Sequence, residues 1–262
     1  MSAYLLVHGG WHGGWCWQRV APLLAATGHR VLTPDLPGHG ADPMPVSARP
    51  WERYVPSLLD VVDAQREPTI LVGHSSGGML ISEVARRRPD HIAALVYLAA
   101  FLLPRGATPG DVMDEERGSL LTEALTIDPA AGMTAVRQEM AREVFYHDCP
   151  AAVAAWAASQ LRPEPMIPHG EAPLDAPSPG DIAVPRVYIE TTEDRALPIA
   201  VQRRMHAAMP CDVVFTLETS HSPFLSQPER LADVLARIGA DVRLPSSGGT
   251  SGRPSRPTRR GA

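Results

Sequence analysis

The chain has 262 residues, 44% hydrophobic and 20% charged, with a formal net charge of -5, ordinary values for a soluble globular protein able to bury a substantial core. All 24 basic residues are arginine, so chemistry that needs a lysine, such as a Schiff base, is excluded. The acidic balance gives no reason to expect nucleic acid or an anionic membrane as a partner, and the three cysteines are too scattered for a disulfide framework or a thiolate metal site.

In chain order, short apolar runs alternate with amphipathic stretches, the pattern of βαβ units around a parallel sheet. The spacing predicts strands at Tyr4–Val7, Arg30–Thr33, Thr69–Val72 and Ala93–Leu98. Helices are expected at Gln18–Thr27, Trp51–Gln65 and Gly77–Arg88. The strands are runs of Val, Leu, Ile and Ala without alternation, as expected of strands covered on both faces. Past Phe101 the pattern turns helical, with Met113–Leu125, Met133–Phe145 and Cys149–Gln160 as candidates, and a proline-rich stretch leads out from Pro163 to Pro179. Strands resume at Pro185–Glu190 and Val213–Glu218. A last helix is expected over Pro228–Ile238, with Ser226 and Glu229 forming a capping box.

The expected organisation is a core of residues 1–103 and 181–243, a helical cap insertion of residues 104–180 over the carboxyl ends of the strands, and a disordered Gly/Ser/Pro/Arg-rich tail, 244–262. No stretch reaches the roughly 18 apolar residues of a membrane span. The start of the chain lacks the basic region of a signal peptide. A reducing cytoplasm is the default expectation, and the arginine-only, alanine- and proline-rich composition suits a GC-rich bacterial genome.

Gly73-His74-Ser75-Ser76-Gly77 follows an apolar strand and leads into a helix, the setting in which a G-x-S-x-G match is informative. Ser75 is the candidate nucleophile, and the N–H of Ser76 a candidate oxyanion donor. A serine hydroxyl needs a base and an orienting acid. These should follow in the order Ser, Asp/Glu, His, each just past a strand. His221 stands in that place after Val213–Glu218. Glu193 and Asp194 both follow Pro185–Glu190, and Asp194 sits further past the strand end. Val7-His8-Gly9-Gly10 leaves the first strand as a glycine-rich turn whose Gly10 N–H would be the second oxyanion donor. His8 is read as a structural histidine, His74 as a packing or hydrogen-bonding one, and His29, His91 and His206 as solvated. Trp11, His12, Phe145 and Trp156 are candidate substrate-pocket residues, with Met113, Leu120, Leu121 and Met166 as further apolar cap positions.

LLVHGGWHGGWCW (5–17), GHSSGGML (73–80), VYIETTED (187–194) and SHSPFLSQPERLADVL (220–235) together resemble the α/β-hydrolase superfamily, and within it the group of plant methylesterases and hydroxynitrile lyases. The resemblance implies a mostly parallel sheet with helices on both faces and a helical cap. It also implies a Ser75–Asp194–His221 triad with Gly10 and Ser76 as oxyanion donors. No metal or cofactor is implied. The lyases carry a lysine directly after the histidine; Ser222 stands there, so hydrolysis is expected rather than cyanohydrin cleavage. The expected substrate is a small to medium hydrophobic carboxylic ester. Thioester or C–C bond cleavage, or ligand binding without turnover, are the alternatives. Oligomeric state is not readable from the sequence.

Overall fold

The computed structural model describes residues 2–44, 50–104, 106–113, 118–165 and 182–243. The expected tail, Met166, and much of the proline-rich exit from the cap lie outside the described residues.

Six strands form one sheet, all parallel: β1 (Ala3–Val7), β2 (Arg30–Leu32), β3 (Thr69–His74), β4 (Ile92–Leu98), β8 (Arg186–Thr191) and β9 (Val213–Leu217), in the order β2-β1-β3-β4-β8-β9. Their helical crossovers are α1 (Ala21–Ala26), α2 (Trp51–Asp63), α3 (Gly77–Arg87) and α8 (Ile199–Ala208), and α10 (Pro228–Arg243) closes the described chain. The unbroken apolar runs follow from burial on both faces. Tyr4, Leu6, Ile70, Val72, Val96 and Ile189 belong to one apolar cluster; Leu5, Val7, Leu71, Leu95, Tyr97 and Tyr188 belong to the other. Each fully buried Leu or Val there contributes roughly 1.5–3 kcal/mol through removal from water.

Between β4 and β8 the chain builds the cap: α4 (Pro109–Met113), α5 (Leu121–Ala124), β5 (Leu125–Asp128), β6 (Met133–Val136), α6 (Gln138–Phe145), α7 (Ala151–Gln160) and β7 (Glu164–Pro165). The expected helix over Met133–Phe145 is therefore shortened to Gln138–Phe145, because its first four residues form a strand. β5, β6 and β7 make a three-stranded antiparallel sheet. Asp128 starts the hairpin turn by accepting the N–H groups of Ala130 and Ala131, and Gly132 completes it at φ +66°. The β-branched Thr126, Ile127, Thr134 and Val136 then favour pairing over helix. The cap is thus helices plus a small sheet. Its Val144, Phe145, Ala154 and Ala157 join the same apolar cluster as one face of the main sheet, so the two share a core.

The capping box is also absent. Ser226 ends a separate short helix, α9 (Pro223–Ser226), and its buried hydroxyl has no partner among the described residues. Leu231 N–H instead bonds the carbonyl of Gln227, the residue that precedes α10. Two of the three histidines expected in solvent are held: His29 is buried edge-on against Tyr4, and His206 bonds Glu190 at 3.1 Å.

Candidate active site

The candidate residues all leave the sheet at its carboxyl end. Gly9 and Gly10 follow β1, Ser75 follows β3, Asp194 follows β8 and His221 follows β9. Ser75 turns between β3 and α3 with φ +53°, a left-handed conformation that costs a non-glycine residue on the order of 1–2 kcal/mol. Three backbone hydrogen bonds hold it there: its N–H to Leu98, and its carbonyl to the N–H groups of Gly78 and Phe101. The flanking glycines are required by contact. A Cβ on Gly73 would lie 2.6 Å from the Gly77 carbonyl oxygen, and one on Gly9 would lie 2.7 Å from the Ser75 Cβ.

His221 and Asp194 are joined at 2.7 Å from Nδ1 to Oδ2 and are buried, with 2% and 0% of their side-chain surfaces exposed. A carboxylate oxygen accepts, so Nδ1 is the donor of this bond and Nε2 is the ring nitrogen that takes no part in it. Asp194 is saturated. Oδ1 accepts the N–H groups of Ala196 and Leu197, each at 2.8 Å, and Oδ2 also accepts Thr191 Oγ1 and Gln202 Nε2. Glu193, the rival acid, is exposed. Gln202 is buried within α8; its amide also bonds the backbone of Thr191 and Leu197. Nothing in the local sequence marked Gln202 or Thr191.

His74 brings His221 to the nucleophile's segment. Its Nε2 donates to the His221 carbonyl at 2.9 Å, and the two rings lie 4.5 Å apart. Burial, together with the neighbouring His221 and His12, holds His74 neutral by pushing its pKa well below the usual value. His8 is likewise structural: Nδ1 donates to the Gly9 carbonyl and Nε2 accepts the Leu36 N–H, and burial pushes its pKa down to about 3.

Three of the four candidate pocket residues come together. The Phe145 ring lies 5.7 Å from His221, 6.2 Å from Trp11 and 5.5 Å from His12. Trp156 stands one layer away, edge-on to Trp15 at 5.2 Å. Reading His12 and Phe145 as pocket walls needs correction, since each has only 1% of its surface exposed. His12 is held from both ends, with Nδ1 on the Gly10 carbonyl and Nε2 accepting the Tyr146 hydroxyl, each at 2.8 Å, and burial pushes its pKa down to about 4. Trp11 and Trp156 keep partial exposure.

The cap grips each loop. Asp148 accepts the Ser220 N–H, and Ser220 Oγ donates to the Phe145 carbonyl, beside His221. His147 bonds the Glu193 carbonyl and Ser119 the Ala196 carbonyl, on either side of Asp194. Among the described residues, no group of His, Cys, Asp and Glu could hold a metal ion, and no helix is long and apolar enough to cross a membrane.

Comparison with known proteins agrees with the fold. The model of the alpha/beta hydrolase family matches residues 4–234. The chain is 37% identical to a pyrethroid hydrolase of Sphingobium wenxiniae over 88% of this chain and 85% of that protein. It is 31% identical to methylesterase 17 of Arabidopsis thaliana over 91% and 92% of the two chains. The crystal structure of a pyrethroid hydrolase from Sphingobium faniae superposes with a TM-score of 0.78 at 34% identity, covering 91% of this chain and 97% of that one. The chain belongs to the alpha/beta hydrolase family.

Proposed function

We propose that this protein is a serine esterase that cleaves a carboxylic ester of a small to medium hydrophobic molecule through an acyl-enzyme. The observation that carries the reading is the buried His221–Asp194 pair, whose imidazole lies 4.5 Å from the ring of His74, the residue that precedes the strained serine turn. Ser75 Oγ attacks the ester carbonyl as His221 Nε2 takes its proton, and the negative oxygen is received by the N–H groups of Gly10 and Ser76. Among the described residues neither N–H has a protein partner, as donors waiting for a substrate oxygen require. His221 then gives its proton to the leaving alcohol. Water, deprotonated by the same nitrogen, releases the acid and restores Ser75. Asp194 fixes the tautomer and stabilises the imidazolium.

The named relatives support the bond type: a pyrethroid hydrolase and a methylesterase both act on carboxylic esters. Trp11, partly exposed and packed on the Phe145 ring that adjoins His221, supports a hydrophobic, aromatic-tolerant substrate. No metal or organic cofactor is called for, and no nucleic acid or membrane partner is proposed. A panel of methyl, thio- and β-keto esters tests the reading. Turnover of neutral hydrophobic oxygen esters by the wild type, lost in Ser75→Ala, is expected. Turnover that survives Ser75→Ala would refute it.

A further inference from the structure

Another carboxylate–histidine pair, Glu164 with His39, sits beside the glycine-rich turn, and the mechanism above does not use it. Glu164 lies on β7, the short strand that pairs with β6 in the cap. Its Oε2 faces His39 Nε2 at 2.7 Å and accepts the Trp11 N–H at 3.1 Å, while Oε1 accepts the Tyr54 hydroxyl at 3.2 Å. His39 is fully buried, and Glu164 keeps 17% of its side-chain surface. Beside the Glu164 carboxylate, burial pushes the Tyr54 pKa upward, keeping its hydroxyl a donor.

Trp11 is the residue after Gly10 and has φ +61°, a strained conformation for a tryptophan. The cap holds it at three points. Glu164 takes its N–H, the Arg162 N–H bonds its carbonyl at 2.9 Å, and Thr134 Oγ1 takes its indole N–H at 3.2 Å. The neighbouring carbonyls are held by core histidines. Gly10 O accepts His12 Nδ1, and Gly9 O accepts His8 Nδ1 and the His12 N–H. In a trans peptide the N–H points opposite to the C=O. With the Gly9 carbonyl turned toward His8 and His12, the Gly10 N–H points away from them. A side chain begun at Gly10 would lie 3.7 Å from Ser76 Oγ and 3.8 Å from the Glu164 carboxylate, so the turn faces the nucleophile elbow and Glu164 together.

We propose that Glu164, held by His39 and Tyr54, is a positioning residue for the oxyanion hole. Its carboxylate fixes the Gly10–Trp11 turn in its left-handed form and thereby aims the Gly10 N–H at the place where the oxyanion develops. The inference rests on the serine-esterase reading and adds to it that the hole is complete only when the cap's β7 is seated. The effect should fall on the transition state, because ground-state ester binding needs no fully aligned donor.

The test compares Glu164→Gln and Tyr54→Phe with the wild type on one hydrophobic ester, and measures inhibition by a trifluoromethyl ketone, whose serine adduct places an oxyanion in the hole. The first substitution keeps the side-chain shape but leaves an acceptor on one branch only. Expected for Glu164→Gln is a fall in kcat of about 10- to 100-fold, with KM within about threefold and the ketone inhibition constant raised by the same factor as kcat falls. Tyr54→Phe removes one of the three donors and should show the same pattern at about two- to fivefold; it decides the matter if Glu164→Gln does not fold. A kcat within twofold of wild type in both variants, or a loss lying wholly in KM, would overturn the proposal. A wild type that the ketone does not inhibit, or whose turnover survives Ser75→Ala, would instead bring down the serine-esterase reading beneath it.

Discussion

Asp194 and Glu164 are both carboxylates that accept backbone N–H groups and lie 2.7 Å from a histidine, but they are built in opposite ways. Asp194 receives its backbone donors from Ala196 and Leu197, two and three residues on, so its loop folds around it as a local turn. Glu164 draws every side-chain contact from afar: Trp11, His39 and Tyr54 are 153, 125 and 110 residues away. The first arrangement is built from core residues close in sequence, and the cap's His147 and Ser119 bond only the carbonyls on either side of it. The second exists only while the cap rests on the core. The difference separates the base's orientation, fixed locally, from the oxyanion turn, fixed by tertiary contact.

Substitutions can break that comparison on either side. Asp194→Asn should have the largest effect, a fall of about 10³–10⁴ in kcat, because an amide no longer enforces the Nδ1–H tautomer. Steady-state kinetics with a p-nitrophenyl ester would check it, and a loss below tenfold would mean that Asp194 does not orient His221. The Glu164→Gln effect should rank second, at the magnitude given above. Gln202→Leu should register mainly in stability. It strands the Thr191 N–H and the Leu197 carbonyl in the interior, at about 1–3 kcal/mol for each unsatisfied group, readable as a lower urea midpoint. Glu193→Gln should change kcat less than twofold, since Glu193 is exposed.

The buried histidines set a pH limit on the scaffold of both regions. His8 and His12 have folded pKa values of about 3 and 4, below the ordinary 6.5, so the unfolded chain binds more protons across that interval. Their neutral burial costs nothing above pH 6.5, and stability is withdrawn as pH falls from there toward the folded values. The loss should reach roughly a few kcal/mol by pH 5. Thermal unfolding should therefore shift down steeply between pH 6.5 and 5; a flat profile there would contradict the neutral, hydrogen-bonded state assigned to both rings.

What could be read from the sequence follows the same division. Ser75, Asp194 and His221 each follow a short apolar run, and strands buried on both faces announce themselves by unbroken apolarity, so the turn after each strand was legible within a residue or two. His39, Tyr54, Glu164 and Gln202 carried no such mark. Each acts through partners distant along the chain, or through a helix interior whose pattern reports only burial. The cap hairpin was misread for a related reason. Met133–Val136 continues a run with helical spacing, and only the Asp128–Gly132 turn, which brings β5 alongside it, makes it a strand. His12 and Phe145 were expected to line the substrate pocket, and the sequence could not show that both side chains are buried.

The central claim is that Ser75 is an activated nucleophile, and intact-mass analysis after incubation with a serine-reactive fluorophosphonate tests it most directly. The account predicts a single adduct on the folded wild type and none on Ser75→Ala. An unmodified wild type, or an adduct that persists in Ser75→Ala, would contradict it.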